Sequence, residues 1–238
     1  MVIWGGAKKN LTECDPTREQ IDRSVYSLPA DSASASSAGS RAADQPSPSQ
    51  DQKEVRMPRI QPVSKDQAPE ASKPMLEGIE KKLGKVPNLL GTLGVAPAGL
   101  ATYLKLGEAL SQASLDAKVR EQIAVAIAKE SGCEYCASAH TAIGKMHGVS
   151  GDELAKNLEG KASDPKVQGA IDLALAIVSE RGWVTDAQFK AAKDAGLSDA
   201  EIIEVLAITA TNLFTNYANH MLQTVNDFPK VEVGAAAH

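Results

Sequence analysis

Cys133 and Cys136 stand three residues apart in the stretch SGCEYCASAH, and His140 follows four residues after the second cysteine. If a helix begins near Cys133, Cys136 and His140 share one of its faces. Cys133 then lies at or near the N-cap, where a three-residue spacing lets two sulfurs reach disulfide distance. The partial positive charge of a helix N-terminus favours thiolate over thiol. His140 can take or give a proton, or hold the thiolate as an ion pair. Such residues describe a reactive dithiol. Glu121 lies twelve residues before Cys133 beside a long aliphatic run. A carboxylate there could face the dithiol and carry protons, or it could be an ordinary first-turn acid that favours the helix dipole or pairs with Arg120.

Other chemistries fit these residues less well. Cys133, Cys136 and His140 offer three local zinc ligands, with His220 or Glu121 as a fourth. A structural zinc site takes four, and the chain has no second cysteine pair, so no metal is expected. Haem attachment needs a histidine directly after the second cysteine, and Ala137 stands there. The plainest reading is two buried small residues and a helix histidine. Cys14, the third cysteine, lies in a polar stretch far from this cluster.

The elements that must position the dithiol read as helices. The chain of 238 residues is 43% hydrophobic but only 4% aromatic, which favours close-packed helices over a β-sandwich. Net charge is −5, with no basic stripe, so nucleic acid and anionic membrane are not expected partners. No apolar run approaches the roughly 20 residues of a membrane span. The first residues carry neither a signal-peptide core nor the composition of a transit peptide. With so few cysteines, a disulfide scaffold is not expected, and the location expected is cytoplasmic.

Residues 32–55 are dominated by Ser, Ala, Asp, Gln and Pro and cannot bury apolar area. Residues 1–56 are therefore expected to be a disordered N-terminal extension. Either it results from an upstream start-site assignment, with Met57 as the natural start, or it is a genuine tail. A short helix is expected within it at 17–24. Residues 57–230 read as one all-α domain, and 231–238 as a flexible tail. Helices are expected over 70–83, 87–93, 97–112, 116–130, 134–147, 150–158, 165–181 and 185–195, and from Ser198 to about Val225. Glycines at 84, 132, 148, 160, 182 and 196 serve as stops. The run Ile123–Ala128 is apolar on every side and predicts a helix buried all round. Ser198 followed by Glu201 has the spacing of a capping box.

A weak internal repeat is also visible. Leu115 to His140 and Leu197 to His220 both run from a leucine and an acidic start through an aliphatic helix to a polar segment ending in histidine. This alignment predicts a duplicated helix pair. It makes His220, Asn216 and Asn219 weak site candidates, with satisfaction of buried polar groups as their ordinary role. His147 is read as a C-terminal residue facing the helix dipole.

Glu121, then Cys133-Glu134-Tyr135-Cys136, then His140, in an all-α domain of this length, resembles the alkylhydroperoxidase D-like (AhpD-like) branch of the carboxymuconolactone decarboxylase superfamily. The likeness covers about residues 57–230. The closing stretch from Asn212 through Pro229 is similar to a peroxidase-related subgroup. The resemblance implies a thiol-dependent hydroperoxide reductase with no cofactor. By that likeness Cys136 is the peroxidatic sulfur, Cys133 resolves its sulfenic acid to a Cys133–Cys136 disulfide, and Glu121 and His140 relay the protons. An external donor, lipoyl or thioredoxin-like, reduces the disulfide. A homotrimer or homohexamer is implied. The founding pattern has a second histidine between the cysteines. Here Glu134 and Tyr135 stand there, and Tyr135 is the candidate replacement through its hydroxyl.

Three other functions compete. A lactone decarboxylase of the same superfamily needs no dithiol. A redox-sensing or disulfide-exchange module would be oxidised once and stop. A structural zinc protein would carry metal when purified.

Overall fold

The computed structural model describes residues 57–234, and all that follows refers to them. The expectations for residues 1–56, including the helix at 17–24 and Cys14, lie outside the described residues. Among the described residues the structure is helical and contains no strand. The helices are α1 (Lys73–Leu83), α2 (Asn88–Leu93), α3 (Pro97–Leu110), α4 (Ala117–Glu130), α5 (Glu134–Met146), α6 (Gly151–Leu158), α7 (Pro165–Ser179), α8 (Asp186–Asp194) and α9 (Asp199–Leu222). The domain is all-α, as composition and periodicity require.

α4 is the central helix. Every residue from Gln122 to Ala128 is buried, and α5, α6, α7 and α9 all pack on it. Asp116 caps its start by accepting the N–H of Val119 at 2.9 Å. Its end is a Schellman turn. Gly132 takes φ +63°, its N–H bonds the carbonyl of Lys129, and the N–H of Cys133 bonds that of Ala128 at 2.8 Å. The residue that closes α4 therefore also opens α5, and the first sulfur is fixed by a helix end on each side.

α5 crosses close to α4. A Cβ on Gly144 would come within 2.9 Å of Leu154 Cδ2 and 3.6 Å of Glu121 Cβ. The absence of that atom lets the helix bearing His140 approach the helix bearing Glu121.

Ser198 and Glu201 form the expected capping box at the start of α9. Gln223, in the left-handed region at φ +52°, ends that helix and turns the chain back. The segment 224–234 then straps across α5. Ser138 accepts from Asn226 Nδ2 and from the Val231 N–H, both at 2.9 Å. Lys129 Nζ donates to the Val233 carbonyl, and Val233 is buried against Cys133 and its neighbours. Residues 231–234, expected to be tail, are thus packed structure.

Two further expectations change. The predicted duplication does not hold as a helix pair. Residues 115–140 span α4, a break and α5, whereas 198–220 lie along α9 and its cap as one uninterrupted helix. The physical difference is Gly132, which has no counterpart between Leu197 and His220. α7 ends at Ser179 and α3 at Leu110, each two residues short of expectation.

Candidate functional site

Cys133 is the N-cap of α5, and its Sγ accepts the N–H of Cys136 at 3.3 Å. Both cysteines are free, and each is only 2% exposed. The sulfurs share a proton unequally. The Cys133 thiol is held below its ordinary 9.0, first by a hydrogen bond from the Cys136 thiol and then by the Cys136 backbone N–H and the nearby His140, which together outweigh burial. Cys136 is pushed well above that value, first because its proton is held by Cys133, then by burial and by the charge on Cys133. Charge is thus favoured on Cys133, at the helix N-terminus, over Cys136.

Asn219, from α9, meets the other sulfur. Its Nδ2 donates to Cys136 Sγ at 3.2 Å. This bond favours the Cys136 thiolate, against the larger opposing effects. Asn219 is therefore a site residue and more than the buried-polar filler expected of it. Asn216 does bond within its own helix, to the Asn212 carbonyl at 2.5 Å.

His140 lies one turn beyond Cys136 on α5. Its Nδ1 stands 2.7 Å from Glu121 Oε2, and each side chain is 17% exposed. Burial disfavours the charged imidazole, but the Glu121 carboxylate and its hydrogen bond overcome this, with help from Cys133, so the pKa is raised above 6.5. The carboxylate thus favours the charged imidazole beside the dithiol.

Tyr135 does not bond a sulfur. Its hydroxyl donates to Asp227 Oδ1 at 2.9 Å and accepts the Leu89 N–H at 3.2 Å. Asp227 also takes Lys85 Nζ at 2.9 Å. Phe228 stacks edge-on against Tyr135, with centroids 5.6 Å apart, and Lys85 Nζ lies 4.6 Å from the Phe228 ring centre. Tyr135 thus ties α5 to the strap and to the start of α2. Burial is the first cause of its strongly raised pKa, so the hydroxyl stays protonated.

The two cysteines face different spaces. Cys136 and His140 border a mainly apolar cavity of about 350 Å³, with Leu83, Leu89, Tyr103, Ile143, Met146 and Phe228 on its walls. Cys133 borders a second, more polar cleft of about 310 Å³ between the start of α5 and the end of α9, where His220 also lies. Asn219 and Tyr135 border both. His147 is the C-cap of α5. Among the described residues, no group of three or more His, Cys, Asp or Glu side chains is arranged to hold a metal ion. Likewise, no helix among them is long and apolar enough to cross a membrane.

Sequence reasoning identified Glu121, Cys133, Cys136 and His140, which the fold brings together. It missed Asp227, Tyr103, Thr215 and the strap. For Thr215, Asp227 and the strap the signal was the likeness of the stretch from Asn212 through Pro229 to a peroxidase-related subgroup, whereas Tyr103 carried none.

Comparison with known proteins places this geometry. The carboxymuconolactone decarboxylase family model matches residues 97–167, a span that includes α3 to α6 and all four residues of the dithiol cluster. An uncharacterized protein of Cupriavidus necator is 34% identical over 86 residues, which are 35% of this chain and 76% of that protein. The structure of an uncharacterized peroxidase-related protein with an AhpD core, from Ralstonia eutropha JMP134, superposes with a TM-score of 0.66 at 24% identity, over 72% of this chain and 93% of that one. A peroxidase-related protein of Silicibacter sp. TM1040 gives 0.64 at 21% identity, over 74% and 95%. The debrominase Bmp8, in complex with 2,3,4-tribromopyrrole, gives 0.62 at 22% identity, over 71% and 91%. At these identities the structural likenesses establish the fold. Sequence and fold together establish that the chain belongs to the carboxymuconolactone decarboxylase family and has its AhpD-like all-α fold.

Proposed function

We propose that the protein is a thiol-dependent hydroperoxide reductase whose peroxidatic sulfur is Cys136. The observation that carries this reading is that Cys136 opens on an apolar cavity with the His140–Glu121 pair beside it, while Cys133 sits behind it as hydrogen-bond partner. An organic hydroperoxide suits such a cavity, because its carbon body is apolar and its reacting end needs a thiolate and a proton donor.

The Cys136 proton passes to the Cys133 thiolate. Cys136 Sγ attacks the terminal peroxide oxygen, the O–O bond breaks, and the alkoxide takes a proton from His140. This leaves an alcohol and Cys136 sulfenic acid. The Asn219 amide supports the transient Cys136 thiolate. Cys133 then attacks the Cys136 sulfur, and the hydroxyl leaves with the Cys133 proton as water. The peroxide gains two electrons and the dithiol loses two, forming a Cys133–Cys136 disulfide. The Glu121 carboxylate keeps His140 charged for the first step.

No resident cofactor enters this scheme, so an external dithiol must restore the reduced pair. Closely set free cysteines fit a reducing compartment, and the cytoplasm is the location proposed. Ile203, Leu206, Tyr217 and Met221 leave an exposed apolar edge along α9. This edge would serve the proposed assembly into a homotrimer or homohexamer.

The test is multiple-turnover consumption of cumene hydroperoxide with dithiothreitol or dihydrolipoamide, wild type beside Cys136→Ser. Sustained turnover lost in the variant supports a reductase. One stoichiometric oxidation without turnover would instead make the dithiol a redox sensor.

A further inference from the structure

The dithiol lies between two cavities, and only Asn219 and Tyr135 border both. Cys136 faces the apolar one and Cys133 the polar one. We propose that the polar cleft at Cys133 is the binding site for the reductant, a slender alkyl dithiol, so that peroxide and reductant enter from opposite sides. The inference rests on the hydroperoxide reductase reading for its need of a reductant. It adds where that reductant binds and which sulfur it attacks.

Three observations carry it. The first is stereochemical. Thiol–disulfide exchange proceeds by attack of a thiolate on one sulfur as the other leaves, along the line of the S–S bond. Cys133 lines the cleft and Cys136 does not, so a thiolate held in the cleft meets Cys133 and displaces Cys136. The second concerns the leaving group. Cys136 departs onto the Nδ2–H of Asn219, and its proton can come from His140, so the displaced sulfur is supported where it lands. The third is polar. Asn219 Oδ1 and Thr224 Oγ1, both on residues bordering the cleft, are buried without hydrogen-bond partners. Asn219 is 4% exposed. Buried acceptors of this kind are rare and costly. A ligand with an N–H or O–H close to its sulfurs, as in the amide of a lipoamide-like dithiol, would satisfy them.

The size of the cleft fits this class. Cys133 is 2% exposed at the wall of a cleft of about 310 Å³, which admits a short alkyl dithiol. In the reaction a reductant thiolate attacks Cys133 Sγ, the Cys133–Cys136 bond breaks, and Cys136 leaves as thiolate and is protonated. The reductant's second sulfur then attacks its own sulfur in the mixed disulfide. Cys133 is released and the reductant departs as a cyclic disulfide. Two electrons pass from reductant to protein.

The test separates the two entrances. Val225, 46% exposed, borders the polar cleft, and Met146, 79% exposed, borders the apolar cavity. The disulfide is formed in the full-length protein with diamide, without peroxide, and located by peptide mass. Its reduction by dihydrolipoamide is then timed in Val225→Trp and Met146→Trp, with His220→Trp as a second plug of the polar cleft. Circular dichroism checks that each variant is folded. Val225→Trp or His220→Trp should slow reduction at least tenfold more than Met146→Trp does, and oxidation of the reduced protein by cumene hydroperoxide should show the reverse order. Equal slowing of reduction by plugs on both sides, or greater slowing by Met146→Trp, would overturn the proposal. If cumene hydroperoxide oxidises none of these proteins, the reductase reading fails, and the order of the diamide-based reduction rates still decides for or against entry at Cys133.

Discussion

Glu121 Oε2 lies 2.7 Å from His140 Nδ1, joining α4 to α5, the helix that carries Cys136. In the unfolded chain the imidazole titrates near 6.5, and in the fold its pKa is higher. A raised folded pKa means the pair stabilises fully below 6.5, and that contribution is lost as pH rises through the folded value. Glu121→Gln should therefore destabilise most on the acid side of 6.5, by about 2 kcal/mol. The gap to wild type should narrow toward alkaline pH. Urea unfolding at constant ionic strength, across a series of pH values spanning 6.5, measures this directly.

Asn219 reaches Cys136 across 83 residues of sequence. Removing its N–H takes away support for the attacking thiolate without touching the His140 pair. Asn219→Leu should slow Cys136 oxidation by about tenfold, equivalent to about 1.4 kcal/mol. It should also move the pH–rate profile to higher pH. Stopped-flow oxidation by cumene hydroperoxide reads both effects.

Tyr135→Phe tests whether the hydroxyl carries protons or holds the strap. Its bonds to Asp227 and to the Leu89 N–H predict a stability loss of about 1–2 kcal/mol. The oxidation rate should fall less than in Glu121→Gln. An equal or larger fall would make the hydroxyl part of the relay.

Much of this site could be read from the sequence because its core is local. Cys133, Cys136 and His140 occupy one helix start, and the Schellman turn that positions them is encoded by Gly132. Glu121 could be placed only through the family resemblance, because it stands beside Arg120 and Gln122 in the first turns of α4 and looks like an ordinary first-turn acid. The partners from farther along the chain were only faintly legible. Asn219 was marked by the repeat alignment alone, and its role depends on how α9 packs against α5. Asp227 and Phe228 reach the site only because Gln223 adopts φ +52° and sends the chain back. The repeat misled because α4 and α9 share composition, whereas a single glycine decides whether the helix breaks.

Gly144 makes a packing prediction. A Cβ there would meet Leu154 Cδ2 at 2.9 Å, and Leu154 is 1% exposed, with little room to move. Gly144→Val should destabilise by about 1–3 kcal/mol and push α5 away from α4. It should slow peroxide oxidation by lengthening the contact between Glu121 and His140. Thermal melting and a crystal structure of the variant would show both.

Cys136 is proposed to take the first chemical step, although charge is favoured on Cys133. The most direct measurement treats Cys133→Ser and Cys136→Ser with one equivalent of cumene hydroperoxide. Sulfenic acid is trapped with dimedone, and the modified peptide is identified by mass spectrometry. A peroxidatic Cys136 gives an adduct on Cys136 in Cys133→Ser and none on Cys133 in Cys136→Ser. An adduct on Cys133 in Cys136→Ser, with Cys136 unmodified in the other variant, would contradict it.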